Sequence, residues 1–211
     1  MIFTIGDSFT YGAELANREQ DAWPYILARK LDLDVDNLAC PGGSNDRMFR
    51  LTVDNLIQKK YKLVIIGWTE PSRLDLTWRG EELQITSASF HHHTRFPWIK
   101  QYYAEHFNLR HATQTWLAQV LALQDFLKQR EQKYVFVSMN GQWDEYYYKN
   151  LDLEHMANAV DQEHYLGWPQ EGFTHWQDKA PLGPSGHPLE LGHQRIADKI
   201  YEHIRNQFWV S

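Results

Sequence analysis

Three short, almost continuous apolar runs limit what this chain can fold into: Ile2–Ile5, Leu63–Ile66 and Tyr134–Ser138. Each is too short for a helix and lacks the polar alternation of a half-solvated strand. They read as strands covered on both faces, the habit of parallel sheets. Helical spacing fills the intervals. Trp23, Ile26, Leu27 and Leu31 form one apolar stripe, with Asp21 and Pro24 marking its start, and Trp116, Val120, Leu123 and Leu127 form another. A helix is also expected around 46–59, a helix-like segment over about 98–130, and a closing helix over Leu191–Phe208. Asp34–Ala39 adds a short strand, and 74–78 and 83–87 two more. Strands alternating with helices predict an α/β fold: a three-layer α/β/α sandwich around a flavodoxin-like, doubly wound parallel sheet of about five strands. At 211 residues a single domain over 1–211 is expected. Insertions are expected at about 74–97 and 141–184, the latter showing no strong period and reading as irregular chain laid over the sheet.

Composition removes several function classes. The net charge of −6, with no basic run longer than Lys59-Lys60, argues against nucleic acid as a partner. One cysteine, Cys40, cannot form an intramolecular disulfide, so a reducing cytoplasmic setting is the default. No apolar stretch approaches the ~18 residues of a membrane span, and Ile2–Ile5 runs straight into a turn instead of a cleavage site. No membrane partner, cofactor or metal is expected, and the oligomeric state is left open.

In a doubly wound sheet, ligands bind beyond the carboxyl ends of the strands. Ser8, Gly42 to Asn45, Gly67 to Glu70 and Asn140 all fall there. A serine hydroxyl at neutral pH needs a base to take its proton and donors to hold the oxyanion that attack creates. His187 sits in a Gly/Pro loop, Pro184-Ser185-Gly186-His187-Pro188, just before the last helix, from where it can return to the same rim.

These blocks together resemble the SGNH, or GDSL-type, hydrolase superfamily of esterases, lipases and acyltransferases. Gly6-Asp7-Ser8-Phe9-Thr10-Tyr11-Gly12 matches the nucleophile block, and Asn37 through Asn45 matches the block whose Gly42 contributes a backbone oxyanion donor. His187-Pro188, followed by Gly192-His193-Gln194-Arg195-Ile196-Ala197, matches the block of the catalytic base. The resemblance implies Ser8 as nucleophile and His187 as base. Two positions depart from the pattern. Gly67-Trp68-Thr69-Glu70 puts Thr69 where the family carries an oxyanion-binding Asn, so Thr69 or Asn45 is the candidate third donor. Pro184 stands where the family carries the acid that orients the histidine. A backbone carbonyl or a distant acid can accept the same Nδ1 hydrogen; Asp178 and Glu190 are the nearest acids by sequence, and a Ser–His dyad is the simplest reading.

The other residues have ordinary readings. Asp7 braces the turn, His193 packs or caps in the last helix, and Cys40 fills space beside the oxyanion loop. His91-His92-His93 lacks a ligand-spaced partner for a metal. Trp68, Trp143, Tyr146, Tyr147 and Tyr148 serve either a cleft or the core, and Arg47, Arg50 and Arg73 read as solvated charges or anion ligands. The resemblance implies a serine esterase that hydrolyses a small acyl ester, such as an O-acetyl group on a carbohydrate, through an acyl-enzyme on Ser8. An acyltransferase built on the same residues is one alternative. A non-catalytic SGNH-like binding or structural protein is the other. Small stand-alone chains of this type resemble phage-encoded proteins, which would allow a virion-associated setting.

Overall fold

The computed structural model describes residues 1–87 and 96–208, with the backbone alone at 142–144. Five strands, β1 (Ile2–Ile5), β2 (Val35–Asn37), β3 (Leu63–Trp68), β6 (Tyr134–Ser138) and β7 (Tyr165–Leu166), form one parallel sheet in the order β2-β1-β3-β6-β7. The order reverses direction at β1 and β3, so the crevice of a doubly wound sheet lies beyond Ile5 and Trp68.

Strand periodicity sends alternate side chains to opposite faces. Ile2, Leu63, Ile65, Val135 and Val137 pack with Trp23 and Leu27 of α3 (Trp23–Lys30) and with Ile196, Ile200 and Ile204 of α10 (Glu190–Phe208). Phe3, Ile5, Val64, Ile66 and Phe136 pack on the other face against Met48 and Leu56 of α4 (Asn45–Gln58) and Trp116, Val120, Leu123 and Leu127 of α6 (Leu109–Gln129). All of β1, β3 and β6 is buried, as continuous apolar runs require when helices cover both faces. Short helices α1 (Ser8–Tyr11), α2 (Arg18–Asp21), α5 (Pro97–Gln101), α7 (Gly141–Asn150), α8 (Glu154–Ala157) and α9 (Phe173–Trp176) complete the chain.

Three expectations are revised. The helix-like segment over 98–130 is three pieces: α5, a π-helical turn at Tyr102–His106, and α6. Phe107 adopts an extended backbone, and Asn108 restarts the helix by accepting a hydrogen bond from the His111 N–H at 2.9 Å. The second strand of the hairpin, β5 (Glu81–Ile85), starts two residues earlier than 83 because it pairs with β4 (Leu74–Trp78) right up to the Trp78–Glu81 pair. Arg79 and Gly80 both take positive φ there, as a two-residue type I′ turn demands. Residues 141–184 are more than a cover, since β7 pairs with β6 and completes the sheet. Two paired residues are too few for periodicity to reveal.

α10 also supplies a cap for α3. The first residue of α3 has no local side-chain cap; instead its Trp23 N–H donates to Nδ1 of His193 at 3.3 Å. His193 is fully buried. Burial, and then the neighbouring His187, pulls its pKa down from 6.5 to about 4. A depressed histidine pKa means that the unfolded chain binds the proton first. The neutral imidazole therefore contributes stability that is complete above about pH 6.5 and is lost as pH falls toward about 4. The shift corresponds to about 3 kcal/mol. Urea unfolding of His193→Gln should show a shallower fall in stability across that window than the parent protein, and an equally steep fall would rule the account out.

Candidate active site

The turn after β1 is locked by its own side chains. A Cβ on Gly6 would lie 2.2 Å from Thr10 Oγ1, so only glycine fits there. Asp7 caps α1, its Oδ1 accepting from the Phe9 N–H at 3.0 Å. Its Oδ2 accepts from the Thr69 hydroxyl at 2.9 Å and pairs with the Arg73 guanidinium at 3.0 Å. Asp7 thus ties the ends of β1 and β3 together while fully buried. Removing one partner of such a buried pair costs about 3–5 kcal/mol, because the other charge is stranded away from water. Ser8 follows as the first residue of α1 and is only 7% exposed. Among the described residues nothing accepts the Ser8 N–H.

The loop after β2 closes against this turn through a bond from the Cys40 N–H to the Gly6 carbonyl at 3.3 Å. Gly42 takes φ +75°, a left-handed conformation that favours glycine. Its N–H also has no acceptor among the described residues. Two unspent backbone donors, those of Ser8 and Gly42, therefore belong to loops that touch. Asn45, the first residue of α4, exchanges two bonds with the Thr69 backbone: Nδ2 donates to the carbonyl and Oδ1 accepts from the N–H, each at 2.9 Å. One Nδ2 hydrogen of Asn45 is left over, whereas the single hydroxyl hydrogen of Thr69 goes to Asp7.

His187 comes to the same rim, its ring centroid 5.8 Å from that of Phe9, the residue after Ser8. Its Nδ1 lies 2.8 Å from Oε2 of Glu14. The Glu14 carboxylate also accepts from the Ser185 N–H at 2.9 and 3.1 Å and from the His187 N–H at 3.2 Å. These bonds, led by that from Ser185 and followed by that from the His187 ring, hold the Glu14 carboxyl below its ordinary pKa. An ionised carboxylate accepts and cannot donate, so the Nδ1 hydrogen points at Glu14 and Nε2 is the free basic nitrogen. Gly183 makes the approach possible: a Cβ there would sit 2.7 Å from Glu14 Oε2. No hydrogen bond joins the Ser8 hydroxyl to His187 among the described residues; such contacts commonly tighten only around substrate.

Glu14 is the residue that sequence reasoning missed. The acids nearest to His187 in sequence, Asp178 and Glu190, are both exposed. Glu14 instead follows α1, placed by the left-handed backbone of Gly12 and Glu14. No spacing rule links it to a histidine 173 residues away.

The remaining candidates sort by contact. Arg73 holds Asp7, Arg47 donates to the Leu38 carbonyl at 2.8 Å, and Arg50 pairs with Asp75, so all three are committed to protein partners. Trp68 is buried edge-on against Phe136, and Tyr148 is buried and stacks on Trp168; both belong to the core. Tyr146 is exposed. Burial raises the Cys40 thiol pKa, which favours the neutral form. His91, His92 and His93, and the side chain of Trp143, lie outside the described residues. Among those described, no helix is long and apolar enough to cross a membrane.

Solved structures share the architecture at low sequence identity. The psychrotrophic esterase EstA from Pseudoalteromonas sp. superposes with a TM-score of 0.60 at 14% identity, with 97% of this chain and 96% of that one covered. A G-D-S-L family protein from Desulfitobacterium hafniense DCB-2 gives 0.55 at 13% identity, covering 96% and 98%. A family two carbohydrate esterase from Clostridium thermocellum, solved with cellohexaose, gives 0.57 at 13% identity; 98% of this chain covers 63% of that longer one. The fold is the SGNH-type three-layer fold. No curated protein matches the sequence. The family model that matches residues 10–210 carries the description "family of unknown function", DUF6071, and the chain belongs to that family.

Proposed function

We propose that this protein is a serine ester hydrolase with Ser8 as nucleophile, His187 as base and Glu14 as the acid that orients the base. The observation that carries the reading is the 2.8 Å contact between His187 Nδ1 and Glu14, on the rim that also bears Ser8 and Gly42. Nε2 of His187 takes the Ser8 proton while Oγ bonds to the ester carbonyl carbon, and the carbonyl electron pair moves onto oxygen. The N–H groups of Ser8 and Gly42 hold that oxyanion, with the spare Nδ2 hydrogen of Asn45 as third donor. Thr69 serves this step by fixing Asn45 through its backbone. Collapse of the tetrahedral species expels the alcohol, which takes the proton from Nε2. Water, deprotonated by the same nitrogen, then releases the acid and restores Ser8.

The substrate that fits best is a small acyl ester, an O-acetyl group on a carbohydrate. A carbohydrate esterase of the same fold is known in complex with cellohexaose, which supports that choice. A fluorophosphonate probe tests activation of the serine. Labelling should fall on Ser8 and disappear when the protein is unfolded in urea beforehand; an unreactive Ser8 in the folded protein would sink the proposal.

A further inference from the structure

The hairpin of β4 and β5 is tied to both loops that carry the candidate oxyanion donors. Its strands send successive side chains to opposite faces. Leu74, Leu83 and Ile85 pack with Phe96 and Ile99, and Trp78 meets Phe96 edge-on with ring centroids 6.0 Å apart. Asp75 and Gln84, directly opposite each other across the strands, take the other face. The Asp75 side chain is only 4% exposed. It accepts from Gln84 Nε2 at 3.2 Å and from Arg50 of α4, the helix that follows the Gly42 loop. The root of the hairpin is fixed to the turn before Ser8, because Arg73, the residue before β4, pairs with Asp7 at 3.0 Å. Its return strand meets the other donor. A Cβ placed on Gly42 would lie 3.2 Å from Gln84 Cβ and 3.6 Å from Thr86 Cγ2, so Gly42 leans on the end of β5. Neither the N–H nor the carbonyl of Gly42 is hydrogen-bonded among the described residues. A glycine has wide backbone freedom of its own, so packing is what aims this N–H.

We propose that Gln84 is a positioning residue for the oxyanion donor at Gly42, an inference that rests on reading Ser8 as an ester-hydrolase nucleophile. Its Cβ, held by the strand, fixes the Gly42 peptide. Arg73 and Asp75 hold the same hairpin against the Ser8 turn and α4, so the Ser8 and Gly42 N–H groups are set relative to one rigid element. An oxyanion donor is effective because it already points at the place where charge develops, and a donor free to swing must reorganise during the reaction. The ester carbonyl carries that charge only in the transition state, so a loosened Gly42 lowers kcat and leaves KM alone.

Three variants test it. Gln84→Gly removes the contact, Gln84→Ala restores the Cβ, and Glu82→Gly puts the same strand-weakening glycine at an exposed position nearer the hairpin tip. With p-nitrophenyl acetate, Gln84→Gly should lower kcat at least ~10-fold at unchanged KM, a share of the ~10²–10³-fold that loss of a whole donor costs. Gln84→Ala should recover the parent kcat, and Glu82→Gly should never lose it. The ¹⁵N order parameter of the Gly42 amide, read without substrate, should fall from ~0.85 toward ~0.6 in Gln84→Gly alone. Gln84→Ile suits a strand but adds a second γ carbon at the contact, so it should lower kcat at an undiminished melting temperature. Unchanged kcat in both Gln84→Gly and Gln84→Ile, an equal loss in Glu82→Gly, a raised KM in place of a lowered kcat, or a Gly42 amide equally ordered in every variant overturns the inference. Labelling of Ser8 by fluorophosphonate is scored separately in the unaltered protein. A reactive Ser8 with Gly42 order and kcat indifferent to residue 84 removes the positioning role alone. An unreactive Ser8 with Gly42 order that still depends on Gln84 removes the esterase reading and keeps Gln84 as the residue that fixes Gly42.

Discussion

Replacing Ser8 with alanine is expected to reduce turnover of a short p-nitrophenyl ester by at least ~10³-fold, as loss of a serine nucleophile does elsewhere. The protein should keep its fold. Ser8 is the first residue of α1, but the cap of that helix is Asp7, whose carboxylate accepts from the Phe9 N–H. The Ser8 hydroxyl has no hydrogen-bond partner among the described residues, so its removal leaves no buried group stranded. Far-UV circular dichroism and the melting temperature should match the parent protein while steady-state kinetics collapse. Turnover that survives the substitution would move the chemistry to another group.

Glu14→Gln is the second large effect, expected to lower kcat by ~10²–10⁴-fold with a small change in melting temperature. The carboxylate forces the Nδ1 tautomer of His187. An amide in its place can present either an oxygen or an NH₂, and the NH₂ orientation puts the imidazole proton on Nε2, where the base must be empty. The glutamine oxygen can still accept from the N–H groups of Ser185 and His187, so the loop keeps its shape. Because those bonds hold the Glu14 carboxyl below its ordinary pKa, it is ionised throughout neutral and mildly acid solution. A variant with unaltered kcat would make Glu14 a loop anchor and nothing more.

Much of the fold was legible because the core strands are long enough to show their period. Leu63–Ile66 and Tyr134–Ser138 alternate between two helix layers, and that alone requires an apolar run. β7 was illegible for the opposite reason: Tyr165 and Leu166 pair by virtue of where the preceding helices deliver them. Within the candidate site, the position of Ser8, Gly42 and His187 in loops at the strand ends could be read from glycine and proline turn signals, whereas the roles expected of them came from the resemblance to SGNH hydrolases. Glu14 and the buried Asp7–Arg73 pair could not. Their partners meet only when β1, β3 and the loop before α10 converge, and the charges on Glu14 and Arg73 look in sequence like ordinary surface residues. His193 is intermediate: its packing role was expected, whereas the helix it caps lies 170 residues away in sequence.

The central claim is that Ser8 carries the acyl group during turnover. Rapid quenching of the protein in acid during p-nitrophenyl acetate hydrolysis, followed by digestion and mass spectrometry, tests it most directly. An acetyl adduct on the peptide containing Ser8, absent from Ser8→Ala, is the predicted result. Turnover with no adduct at Ser8, or an adduct on any other residue that forms and decays at the turnover rate, would contradict it.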